Sequence, residues 1–122
     1  MDLQPLIFIG RLLFGGFFII MGLNHFTKTK ELTTYAKSKK VPAAKLAILA
    51  GGVFLLFGGF GILLAAYIEL AVFALIAFLI TTSLFMHNFW ALQDHQDRAN
   101  QMMNFLKNMA LVGGALLALL LV

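Results

Sequence analysis

The chain has 122 residues, of which 61% are hydrophobic and only 11% charged, and its mean hydropathy is +0.95. A soluble domain is about half apolar and a quarter charged, so this composition excludes a water-covered globule and points to a membrane protein. The net charge of +4 comes with no nucleic-acid-binding signature, and the absence of cysteine excludes a disulfide, a thiolate metal site or a thiol relay within the chain.

A helix needs about 20 apolar residues to cross the hydrocarbon core. The first such run covers about residues 5–26. Asp2 precedes it without an early lysine, and no small-residue cleavage site follows, so it reads as a retained span rather than a signal peptide. The next segment carries Lys28, Lys30, Lys37, Lys39, Lys40 and Lys45 against one acid, Glu31. Within it, Leu32, Tyr35 and Ala36 fall on one face of a short helix suited to the membrane interface. Pro42 suits the first turn of the second span, about 43–66, because its missing N–H costs nothing there. A very short turn without a base leads to the third span, about 67–87. Trp90 then falls where an aromatic belt would lie. Asp94 is placed to cap a helix with Asp97 in its first turn, so the helix of the fourth span, about 105–122, is expected to start in water as early as Gln96.

Together these runs predict one all-α domain over 1–122. It is an integral membrane four-helix bundle, up-down-up-down, with short interfacial helical segments in the cytoplasmic loops. Lysines accumulate on the cytoplasmic side of membrane proteins. That rule puts the lysine-rich first loop in the cytoplasm and both termini on the outer side. The glycine pairs at 51–52, 58–59 and 113–114 read as packing positions, since small residues let membrane helices approach. Ala110, Gly114 and Ala118 form a small-residue stripe whose simplest use is packing within the chain, with a homodimer seam as the alternative.

Arg11 lies inside the first apolar run and cannot shed its charge. Residues three or four apart share a helix face. Arg11, Gly15, Phe18, Gly22 and His25 follow that spacing in the first span, and Glu69, Phe73, Ile76, Ile80, Ser83 and His87 follow it in the third. The polar residues that bound each stripe are about 21 Å apart in the first and about 27 Å in the third, from the helical rise. An intramembrane charge faces inward and pairs, and arginine forks well onto a carboxylate. A buried ion pair between Arg11 and Glu69 is therefore expected. Toward the other end, Asn24, His25, His87, Asn88, Trp90, Asn104, Lys107 and Asn108 gather at one membrane depth. That gathering has three readings: a hydrogen-bonded belt that seals helix ends, a head-group site for a quinone, lipid or small anion, or a metal site from His25, His87 and His95. The spacing matches no ligand motif, so no metal is expected. Thr81, Thr82 and Ser83 are expected to bond back onto their own helix. No nucleophile motif, phosphate loop or carboxylate pair is present.

The segments RLLFGGFFIIMGLNHF (Arg11–Phe26), YAKSKKVP (Tyr35–Pro42), LLFGGFGILL (Leu55–Leu64), MHNFW (Met86–Trp90) and NFLKNMALVGG (Asn104–Gly114) occur in this order. Their combination resembles the DoxX family of small four-span membrane proteins over almost the whole chain. The resemblance implies a helical bundle in a bacterial or archaeal plasma membrane. Some relatives are linked to thiosulfate oxidation with quinone as acceptor, others to membrane complexes handling oxidative or thiol stress, and many have no assigned activity. Arg11, Asn24, His25, His87, Trp90 and Lys107 match the family pattern in place. Many members carry an acid in the second span just before the glycine pair, where this chain has Leu55, which cannot take a proton or bind a cation.

The function expected from residues and resemblance together is an accessory subunit of a quinone-linked membrane redox system. Such a subunit has no catalytic activity or intrinsic cofactor of its own. Its candidate ligand, a quinone or lipid, sits at Asn24, His25, His87, Trp90, Asn104, Lys107 and Asn108. Its partners are the bilayer and a redox protein, and not nucleic acid. The alternatives are a non-catalytic assembly or receptor-type bundle and an oligomeric small-solute transporter.

Overall fold

Backbone amides in lipid have to be satisfied within their own segment, which favours helices throughout. The computed structural model describes residues 1–122. It contains α1 (Gln4–Thr27), α2 (Thr29–Ser38), α3 (Ala44–Leu64), α4 (Ile68–Met86) and α5 (His95–Leu117), with 3-10 turns at Phe89–Ala91 and Ala118–Leu121. The four long helices, α1, α3, α4 and α5, are each long and apolar enough to cross a membrane. The short helix α2 lies in the lysine-rich connection with Ala36 buried, as its amphipathic pattern predicts.

The element boundaries follow local chemistry. Helix α5 starts at His95, where the Asp94 side chain accepts from the Asp97 N–H at 3.0 Å, so the expected cap is present. Pro42 departs from its expected place. It precedes α3, whose N-cap is Ala43 in a left-handed conformation (φ 47°). The ring-fixed φ of Pro42 is used in the bend between Lys40 and Ala43, both left-handed, rather than in the helix itself. The α3–α4 reversal is a Schellman turn. The Ala66 N–H bonds the Gly61 carbonyl at 2.9 Å, and the Ala65 N–H bonds the Ile62 carbonyl at 3.3 Å.

Helix α1 packs along α3, α3 along α4, and α4 along α5, so α3 and α4 are central. The core is Phe18, Leu55, Ile62, Ile68, Val72, Leu75, Leu79 and Ala115. Lipid gives apolar helices little hydrophobic reason to associate, so close packing has to hold them. At the α1–α3 crossing the glycines provide it. A methyl group at Gly15 would stand 2.6 Å from the Gly59 carbonyl oxygen, and one at Gly59 would stand 2.8 Å from the Gly15 oxygen. On α5, Gly114 faces the Phe14 ring of α1 and Ala115 is fully buried, so that part of the helix packs within the chain.

Candidate functional site

Arg11 is half-buried, and its guanidinium meets backbone rather than a carboxylate. Nε donates to the Ile62 carbonyl at 3.2 Å and Nη2 to the Leu63 carbonyl at 2.6 Å. These carbonyls belong to the last turn of α3, where the helix dipole is negative; Leu63 has no backbone donor there, and Ile62 shares its oxygen between Arg11 and the Ala65 N–H. The expected ion pair with Glu69 is therefore corrected. Glu69 is exposed in the first turn of α4, where an acid suits the helix dipole. The reason is adjacency: α1 lies against α3, and α3 stands between it and α4.

His25 sits near the other end of α1 and is 92% buried by its exposure of 8%. Its Nδ1 bonds the Ile48 carbonyl of α3 at 2.8 Å, and its ring meets Phe78 of α4 edge-on at 5.4 Å between centroids. The imidazole passes over α3 through a notch made by the Gly51–Gly52 pair. A methyl at Gly51 would lie 3.2 Å from His25 Cε1, and one at Gly52 would lie 2.9 Å from His25 Cβ. Beyond the notch, His25 lines a groove of about 350 Å³ between α3 and α4. Ala36 of α2 and Pro42 close its end, Ile48, Phe54 and Phe78 line its walls, and Thr81 and Thr82 are also among the lining residues. No acid, lysine or arginine lines it.

His87 belongs to a different set. Its Nδ1 bonds Gln101 Oε1 at 2.7 Å, and Gln101 Nε2 donates to the Tyr35 hydroxyl at 3.1 Å. Tyr35 in turn donates to the Met86 carbonyl at 3.3 Å, and Asn104 Nδ2 donates to Gln101 Oε1 at 3.4 Å. This chain of bonds ties α2, α4 and α5 together at the lysine-rich end. Deeper in the bundle, buried Asn108 donates to Ser83 Oγ at 3.1 Å. Ser83 accepts this bond across the α4–α5 interface and makes no back-bond onto its own helix, contrary to expectation. Thr81 and Thr82 make no back-bond either, and both residues line the groove.

A family model described as DoxX matches residues 6–88, which take in Arg11, the His25 notch, the glycines of α3 and His87. The chain belongs to the DoxX family. With its four long apolar helices, this DoxX protein is a multi-pass membrane protein. No curated protein and no solved structure matches it.

The remaining candidates of the DoxX chain divide between roles. Trp90 is exposed and packs edge-on against Phe89 and Phe105 at 5.3 and 5.8 Å between centroids, forming an aromatic corner beside α5. Lys107 is exposed, and Asn24 is half-buried with its carbonyl accepting from the Lys28 N–H at 2.8 Å. His95 is exposed, and no three histidine or carboxylate side chains come together as a metal set. Of the polar residues named from sequence, His25 lines the groove and His87 and Asn104 join the network, whereas Asn24, Trp90, Lys107 and Asn108 lie in neither. Tyr35 and Gln101 belong to the network as well, and Thr81 and Thr82 to the groove. Tyr35 carried a signal in the amphipathic pattern of α2. Gln101 carried none, because it sits in a stretch that reads as solvated helix.

Proposed function

We propose that this DoxX protein is an accessory subunit of a membrane redox system, holding a quinone or lipid head group beside His25. The electron-transferring cofactor belongs to a partner protein. The observation that carries this reading is a single, nearly buried imidazole, anchored by the Ile48 carbonyl, in a groove that is otherwise almost wholly apolar. Ligand pockets of this kind combine apolar walls with few fixed polar groups. In the same reading the protein lies in the plasma membrane, with α2 and its lysines on the cytoplasmic side and both termini outside, which the positive-inside rule supports.

Mass spectrometry of the molecules that purify with the protein tests the groove. A retained quinone or lipid, lost from His25→Ala, is the expected result, and protein that retains nothing overturns it. Single cysteines at Asp2 and Ser38, in a chain that has none of its own, test the topology. A membrane-impermeant maleimide added outside intact cells should label the first and spare the second.

A non-catalytic assembly role is favoured by a separate feature, the polar first turns of α5. Asp97, Arg98 and Asn100 are all exposed there. A stable partner in a mild-detergent pulldown, lost on changing those residues and independent of His25, would select that reading.

A further inference from the structure

The donors and acceptors of the α3–α4 groove define which ligand it can hold. A carbonyl oxygen only accepts, so the Nδ1 facing Ile48 at 2.8 Å carries the hydrogen. In the uncharged ring that leaves Nε2 as a bare acceptor. Nε2 has no partner within the protein, yet it is not sealed off among the buried unpaired atoms. The Thr81 and Thr82 hydroxyls are likewise unpartnered, although a threonine within a helix ordinarily bonds a carbonyl one turn back. A polar group left unbonded in an apolar setting costs free energy. The groove is open sideways, since Phe54, Ala77 and Phe85 on its walls are exposed on the surface that faces lipid. Its volume of about 350 Å³ is that of a ring-sized or glycerol-sized head with the start of a chain.

We propose that this groove takes a neutral, hydroxyl-bearing amphiphile directly from the bilayer. Its O–H donates to His25 Nε2, and its remaining oxygens meet Thr81 and Thr82. The absence of any ionic lining residue selects against phosphate-bearing lipids, and the acceptor at Nε2 selects against a ketone, ester or ether at the same position. The inference rests on the proposed reading of the groove as the head-group site and adds the chemical form of the ligand. Two sources share that chemistry, an aromatic diol such as a benzoquinol and an aliphatic alcohol such as a diacylglycerol.

The test is equilibrium binding to the full chain in phosphatidylcholine nanodiscs. The probes are dioctanoylglycerol against its O-methyl ether, and decylbenzoquinol against decylbenzoquinone under anaerobic conditions. The hydroxyl form of at least one pair is expected to bind about five- to tenfold tighter than its partner, the worth of one buried hydrogen bond. Whichever pair shows the difference names the source. The double variant T81V/T82V keeps side-chain shape and is expected to weaken the hydroxyl form by a similar factor, even if His25→Ala fails to fold. Equal binding of the hydroxyl form and its partner in both pairs overturns the inference while leaving the groove as a head-group site. Failure of all four probes to bind overturns the groove reading with it.

Discussion

A guanidinium inside an apolar helix needs several acceptors, and Arg11 finds them at the end of a neighbouring helix. Its bonds to the Ile62 and Leu63 carbonyls satisfy both its own charge and the Leu63 oxygen that α3 leaves unpaired. Replacing it by alanine removes charge-assisted bonds on both sides. Arg11→Ala is expected to destabilise the protein by about 2–3 kcal/mol, measured as thermal unfolding in detergent. Glu69→Gln, at an exposed position, is expected to change stability by no more than about 0.5 kcal/mol. The exchanged double variant, Arg11→Glu with Glu69→Arg, should therefore be no more stable than Arg11→Glu alone; recovery would revive the ion pair. The sequence exposed the need of Arg11 but not its partner, and the reason is general. Every residue carries a carbonyl, so a bond to backbone leaves no mark on residue type. The same holds for His25, whose anchor is the Ile48 carbonyl.

At the scale of elements, the turn between α3 and α4 is tight but built without glycine. Ala65 and Tyr67 hold φ values of 53° and 50°, a region that disfavours side chains with a Cβ. Ala65→Gly, at the Schellman position, is expected to stabilise the protein by about 0.5–1 kcal/mol, read as a higher unfolding temperature. Gly15→Ala acts in the opposite direction, because its methyl would press on the Gly59 carbonyl. A cost of about 1–3 kcal/mol is expected, the usual range for overpacking. Much at this scale was legible. The glycine pairs of α3 announced close packing, Asp94 announced a cap, and the spacing of Leu32, Tyr35 and Ala36 announced α2. The threonines were not legible. Whether a helical hydroxyl turns back to its own carbonyls or outward depends on the neighbouring helix, and only the packed structure specifies that.

For the whole molecule, hydropathy revealed how many helices cross but not which of them touch. A stripe on the first span and a stripe on the third matched in length, yet α1 packs against α3 instead. The His87 network emerged only once α2, α4 and α5 were brought together, since Tyr35, Met86, His87 and Gln101 are scattered along the sequence. This network fastens α2 across the end of the bundle. Tyr35→Phe, which removes the shared hydroxyl, is expected to speed amide hydrogen exchange in α2 by about fivefold, the effect of about 1 kcal/mol, while α3 and α4 stay protected. Unchanged exchange in α2 would mean that its apolar contacts alone hold it.

The cross-helix cap at Arg11 also bears on how the chain is made. A nascent α1 entering the bilayer alone has no carbonyl free to take the guanidinium, since its own are spent within the helix. That debt is settled only when the last turn of α3 reaches the same depth. Burial of the arginine in its folded place is thus coupled to the pairing of the two limbs of the first hairpin rather than to α1 alone.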